Sequence, residues 1–164
     1  MNIRPERSDD APAIRRILTA AFSGSAEADL VEQLRRDGDL VLSLVADEGE
    51  VRGHVAFPRL RVEDADGARD VVGLAPVAVA HGRQRRGIGS ALIRDGHRRL
   101  TRQGESLVFV LGDPAWYTRF GYSVAAAAPF DSDYAGAHFM ALRLNESAPL
   151  AGKVRYPAAF AGLG

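Results

Sequence analysis

Apolar positions in the first part of the chain recur at helical spacing. Ile14, Ile17, Leu18 and Ala21 share one face of a helix. Ahead of them, Ser8, Asp9 and Asp10 are residue types that cap helix N-termini, and Pro12 is tolerated in a first turn. A second helix is predicted from Glu27 to Arg36, with Leu30, Val31 and Leu34 inward and Asp37-Gly38 as its stop. The period then changes. Leu40 to Ala46 is a strand-like apolar run, Asp47-Glu48-Gly49 turns the chain, and Val51, Val55 and Phe57 alternate on the way back. A second turn at Asp64-Ala65-Asp66-Gly67 leads into a strand from Arg69 to Val79. Pro76 lies inside that strand. It has no N–H for a ladder, so it predicts a bulge or a locally unpaired edge.

A helix of about sixteen residues follows, with Ile88, Leu92, Ile93 and Leu100 apolar. Leu107 to Leu111 reads as a buried strand, broken by Gly112-Asp113-Pro114. A short helix from Ala115 to Phe120 stops at Gly121. Tyr122 to Ala126 and Phe139 to Leu144 read as final strands, and Ile3 opens a first one. No repeat, low-complexity tract or linker interrupts the order. One domain is expected over residues 1–164, with a core over 3–144 and a tail, 145–164, packed on it through Val154, Tyr156 and Phe160. Helices, then strands, then strand–helix–strand predict an α/β (α+β) sandwich with a mixed, mostly antiparallel sheet.

Composition narrows the chemistry. The 21 basic and 21 acidic side chains of this 164-residue chain cancel, so no general attraction to nucleic acid or anionic membranes is expected. An anion must be held locally. The chain has no cysteine, which excludes thiol catalysis and disulfides. Its start lacks the apolar core of a signal peptide and no apolar run is long enough to span a bilayer, so the cytoplasm is the expected location. His54, His81, His97 and His138 have no metal-site spacing, and no bound metal is expected.

The chemistry is concentrated in Gly73 to Ile93. A strand delivers the chain to a turn, Gly87 and Gly89 remove side chains where a ligand approaches the backbone, and a helix begins with unpaired N–H groups. With the helix dipole these make an anion site that suits a pyrophosphate, and Arg83, Arg85 and Arg86 add cationic donors. Glycine pairs also serve plain packing at such turns. Two rival phosphate motifs fit worse. The ATPase loop needs Gly-Lys-Ser/Thr, whereas Gly89 is followed by Ser90-Ala91; the dinucleotide fingerprint needs a small residue at Leu92.

The segment resembles the GNAT superfamily of N-acetyltransferases. Gln84-Arg85-Arg86-Gly87-Ile88-Gly89 matches that family's Gln/Arg-x-x-Gly-x-Gly/Ala loop at every fixed position, Pro76-Val77-Ala78-Val79 resembles its splayed fourth strand, and Tyr117 to Tyr122 resembles its Tyr-x-x-x-Gly-aromatic segment. The tail around Tyr156-Pro157 is similar to a bacterial subgroup of uncharacterised predicted acetyltransferases. The resemblance implies a sheet splayed at the family's fourth and fifth strands and acetyl-CoA as co-substrate. It implies pantetheine pairing with the backbone of Val77, Ala78 and Val79, and pyrophosphate on Gln84, Arg85, Arg86, Gly87, Ile88, Gly89 and Ser90. It also implies Tyr117 as general acid toward the leaving thiolate, and direct transfer to an amine, from small amines to protein N-termini. A homodimer is expected. A non-catalytic acyl-CoA sensing module is the alternative, and a nucleotide-binding domain a weaker one. Glu63, Asp64, Asp113 and His54 are candidates by type for the base, and none is selected. Many members carry an asparagine after the fifth strand, where this chain has Gly112-Asp113, so that polar help is not carried over. A structural role is expected for His138.

Overall fold

Residues 1–163 are described by a computed structural model. In chain order it contains β1 (Asn2–Pro5), α1 (Ala11–Phe22), α2 (Ala26–Asp37), β2 (Leu40–Asp47), β3 (Val51–Asp64), β4 (Gly67–Leu74) and β5 (Val77–Val79). There follow α3 (Ile88–Arg102), β6 (Leu107–Leu111), α4 (Pro114–Tyr117), α5 (Val124–Ala127), β7 (Phe130–Asp131), β8 (Phe139–Arg143) and β9 (Gly152–Arg155). The sheet runs β1-β2-β3-β4-β6-β8; β5 joins β3, and β9 joins β3 and β7. Its pairs are antiparallel except β4–β6 and β7–β9. Helices lie on both faces: α3 covers one with Leu92, Ile93 and Leu100, and α1 and α2 cover the other with Ile14, Leu18 and Val31.

The predicted strand over Arg69–Val79 is two strands on one line. β4 pairs the outer half of β3 (Arg59↔Val72 to Asp64↔Gly67), and β5 pairs its inner half (Gly53↔Val79 to Val55↔Val77). The interruption is Ala75–Pro76, a cis peptide, as Pro76 foretold. The expected strand over Tyr122–Ala126 is corrected. Only Ser123 bridges to Ala141, and 124–127 is helical because the Ser123 hydroxyl accepts from the Ala126 N–H (3.1 Å), capping an alanine run of high helix propensity. The helix expected over Ala115–Phe120 is α4 continued by a 3₁₀ turn, Thr118–Phe120, and Gly121 ends it at φ 97°. In the tail, β9 pairs Arg61–Glu63, and Phe160 is buried against Leu30 and Leu34.

Two missing side chains set how closely α3 approaches the sheet. A Cβ on Gly96 would lie 2.5 Å from the ring of Phe57, and one on Gly53 would lie 2.8 Å from Ile88 and 3.0 Å from Leu92. Phe57 is fully buried and cannot give way. On the opposite face, His54 is fully buried beside Ser43, whose Oγ lies 2.8 Å from Nε2. Ser43 donates to Glu6, and Arg35 holds Glu6 at 2.7 and 3.1 Å.

Replacing Gly96 with Ala should therefore lower stability by about 1–3 kcal/mol, although alanine is the better helix former, because overpacking outweighs propensity. A urea titration checks it; an unchanged or higher midpoint contradicts the packing account. Acid should also destabilise the fold. Burial pushes His54 down to about 4, with nearby Glu6 opposing and Arg35 reinforcing the shift. The unfolded chain takes up a proton near pH ~6.5 and the folded protein only near 4, so this contribution is complete above ~6.5. It fades as the pH falls between those values, by roughly 3 kcal/mol. Burial lowers His97 to about 4 as well, in the same sense. Urea midpoints that do not fall between about pH 7 and pH 5 would contradict this.

Candidate functional site

The gap beside β5 comes from a mismatch of ladder lengths. β6 pairs β4 in parallel only over Val72↔Val108 to Leu74↔Val110, while β3 continues past that point along β5. β5 therefore keeps a free edge. Which groups face it follows from parity. Ala56 donates to the Pro76 carbonyl (3.0 Å) and Ala80 donates to the Arg52 carbonyl (2.8 Å), so the paired position between them is Ala78 with His54. The backbone of Val77 and Val79 then points away from β3. The Gln84 side-chain amide donates to the outward Val79 carbonyl at 3.4 Å. Of the three residues whose backbones were expected to bind a ligand, Val77 and Val79 face away from β3, the Val79 carbonyl toward Gln84, and Ala78 is engaged by β3.

The loop after β5 ends at the mouth of α3. Gly82 (φ 82°), Arg85 (63°) and Gly87 (81°) adopt left-handed backbone. Gly87 is the N-cap and offers no side-chain bond, so the first amides of α3, those of Ile88, Gly89 and Ser90, have no partner inside the helix. A cavity of about 720 Å³ runs from this mouth along β5 to α4. It is lined by Val77, Ala78, Val79, Gln84, Arg85, Gly87, Ile88, Gly89 and Ser90, with Tyr117. Arg86 is exposed and lies off its wall. Phe22, Trp116 and Arg119 also line it; no sequence motif marked Phe22 or Arg119. Arg83, Arg85 and Arg119 have no carboxylate partner among the described residues, whereas Arg15, Arg35 and Arg59 do. Free cations, open amides and a helix dipole at one end give this groove the chemistry that suits an anion.

Tyr117 stands at the far end. Its ring packs edge-on against Trp116 and Tyr122, with centroids 4.9 and 5.9 Å apart. It also occupies the space a Cβ on Gly112 would need, with the Tyr117 Cδ2 only 2.9 Å from that position. Burial pushes the phenol up to about 12. The side chain is 8% exposed, and its hydroxyl has no hydrogen-bond partner among the described residues. A second cavity, of about 350 Å³, begins on the other side of it. The two share Phe22, Val77 and Tyr117. A phenol donor thus sits where an extended, anion-tipped groove meets an apolar chamber.

The candidate bases lie elsewhere. Glu63 and Asp64 are exposed and pair with Arg155 and Arg69. Asp113 caps α4 by accepting from the Ala115 N–H at 3.0 Å. His54 is sealed in the core and faces neither cleft nor solvent. His138 is exposed, and its carbonyl accepts from the Gly112 N–H at 2.9 Å.

Known proteins share this fold. A family model described as acetyltransferase (GNAT) domain matches residues 2–125. The chain is 44% identical over 128 residues to YhbS of Escherichia coli K12, an uncharacterized N-acetyltransferase, covering 77% of this chain and 75% of that one. It is 40% identical over 120 residues to another, YjhQ, covering 71% and 66%. The crystal structure of YhbS in complex with CoA superimposes with a TM-score of 0.89 at 38% identity, covering 99% and 93%. A GNAT family acetyltransferase from Brucella melitensis in complex with acetyl-CoA gives 0.82 at 36% identity, covering 97% of each chain. With its split sheet, its loop and most of its length matched, the chain belongs to the GNAT acetyltransferase family.

Proposed function

We propose that this protein is an N-acetyltransferase that moves the acetyl group of acetyl-CoA to a primary amine by direct attack. The observation that carries the reading is the unpartnered Tyr117 hydroxyl at the junction of the two cavities. Relatives crystallised with CoA and acetyl-CoA support the donor. The amides of Ile88, Gly89 and Ser90 hold the pyrophosphate, with Gln84, Arg85 and Gly87 around it. The outward backbone of Val77 and Val79 pairs with the pantetheine arm as an added strand would. This places the thioester beside Tyr117, where the outward N–H of Val77, the β5 residue that borders both cavities, polarises its carbonyl.

The amine nitrogen forms a bond to the acetyl carbon, the carbon–sulfur bond breaks, and the sulfur leaves as thiolate, which takes up the proton shed by the nitrogen to give the free CoA thiol. A thiol titrates near ~8.5, and burial holds the Tyr117 phenol at about 12, so complete transfer of its proton is uphill. Tyr117 therefore acts through a hydrogen bond that strengthens as charge develops on sulfur. With no cysteine in the chain, no thiol carries the acetyl group in between.

Tyr117→Phe should lower kcat roughly 100-fold while leaving the dissociation constant of acetyl-CoA within about twofold. Calorimetry and release of free thiol measure the two separately. Undiminished turnover rejects the role of Tyr117; tight binding with no thiol release from any amine favours a sensing module. Gly112→Ala should act through geometry, because the new methyl displaces the Tyr117 ring. We expect kcat to fall while CoA affinity stays within about twofold, since Gly112 is remote from the α3 mouth. Unchanged kcat would show that the ring's seat does not matter.

A further inference from the structure

The second cavity carries information about the acceptor that no motif contains. Its walls are apolar: Leu30, Leu60, Phe109 and Phe160 contribute, and Tyr134 and Tyr156 add aromatic faces. Among the described residues one charged side chain lines it, Glu27, and no lysine, arginine or histidine does. Its neighbours on α2, Asp29 and Glu32, are both paired with Arg15 at 3.0 and 2.9 Å. Glu27 is half-buried and has no ion-pair partner among the described residues. A carboxylate in the first turn of α2 suits the helix dipole. The dipole does not explain why that carboxylate borders an apolar chamber, where an unpaired charge is costly.

Building on the acetyltransferase reading above, we propose that the acceptor is a compact primary monoamine with an apolar body, an arylalkyl or alkyl amine, whose nitrogen is held by Glu27. The cavity's 350 Å³ is at the small end of the range of ligand sites, about 300–1,000 Å³. An amino acid would bring a carboxylate for which the chamber has no cation. A polyamine would bring a second ammonium for which it has no second anion. Apolar walls disfavour the charged ammonium, so its proton passes to the Glu27 carboxylate as the lone pair meets the carbonyl. The carbon–nitrogen bond forms, the carbon–sulfur bond breaks, the second proton shed by the nitrogen is taken up by the departing thiolate to give the CoA thiol, and Glu27 returns its proton to solvent. The product amide is uncharged at nitrogen and no longer attracts Glu27, which favours its release.

The test titrates phenethylamine, L-phenylalanine and spermidine into the protein, with and without CoA, following the aromatic resonances of Tyr134 and Tyr156. Phenethylamine should bind at least about tenfold more tightly than the other two. Glu27→Gln should weaken phenethylamine about tenfold, raise its KM and lower kcat at saturating amine, with thermal midpoint and acetyl-CoA affinity unchanged. Equal binding of phenylalanine or spermidine, tighter binding of a peptide N-terminus, or no effect of Glu27→Gln would overturn the proposal. These outcomes are independent of CoA binding: a protein that took up phenethylamine through Glu27 and failed to bind CoA would refute the acetyltransferase reading alone.

Discussion

One mismatch shapes the molecule: β3 is long enough to pair two successive strands, and β6 pairs only the first of them. The β6 pairing stops at Leu74, and the Pro76 carbonyl two residues on faces β3, where it accepts from the Ala56 N–H. β5 is held from one side and bare on the other. Both cavities open from that bare edge and share Val77 on it. If β5 paired with β6 along its length, the sheet would close over the space where the cavities meet.

The rest of the fold keeps the split in place. The close approach of α3 through Gly53 and Gly96 anchors the helix whose mouth faces the groove, so the open amides of Ile88 to Ser90 are fixed relative to β5. On the opposite face, the Arg35–Glu6–Ser43–His54 chain ties β3 to β2, to α2 and to the segment after β1. These polar groups sit behind β5, where Ala78 is engaged by His54. The same contact that stabilises β5 decides which of its backbone groups are spent and which remain free.

Charge is distributed with the same economy. The chain has zero formal net charge, and about half of its charged side chains are ion-paired, largely at the surface, where such pairs contribute little. Of those without an ion-pair partner among the described residues, Arg83, Arg85 and Arg119 line the groove, and Glu27 borders the apolar chamber. A donor with a negatively charged tail and an acceptor with a positively charged nitrogen would be drawn to opposite ends of the split and meet at Tyr117.

Much of this was legible in the order of residues because the determining effects are local. Helix periodicity, Gly38 and Gly121 as stops, the loop Gln84 to Gly89 and the break at Pro76 all act within a few neighbours in the chain, and each reappears in the fold. Tyr122–Ala126 was misread as a strand because a serine cap on an alanine run outweighs an aromatic start, a competition between two local preferences. The remainder depends on contacts between distant segments. Burial of His54 and the parity that turns Val77 and Val79 outward and occupies Ala78 follow from pairing across the sheet. The chamber joins Glu27 on α2 to Pro58, Leu74, Phe109 and Phe160, residues separated by most of the chain. Sequence alone determined most of the elements, the family and the loop at the mouth of α3. Tertiary packing decided which backbone groups face away from β3 and which charged side chain borders the apolar chamber, because register and burial exist only once remote strands have met.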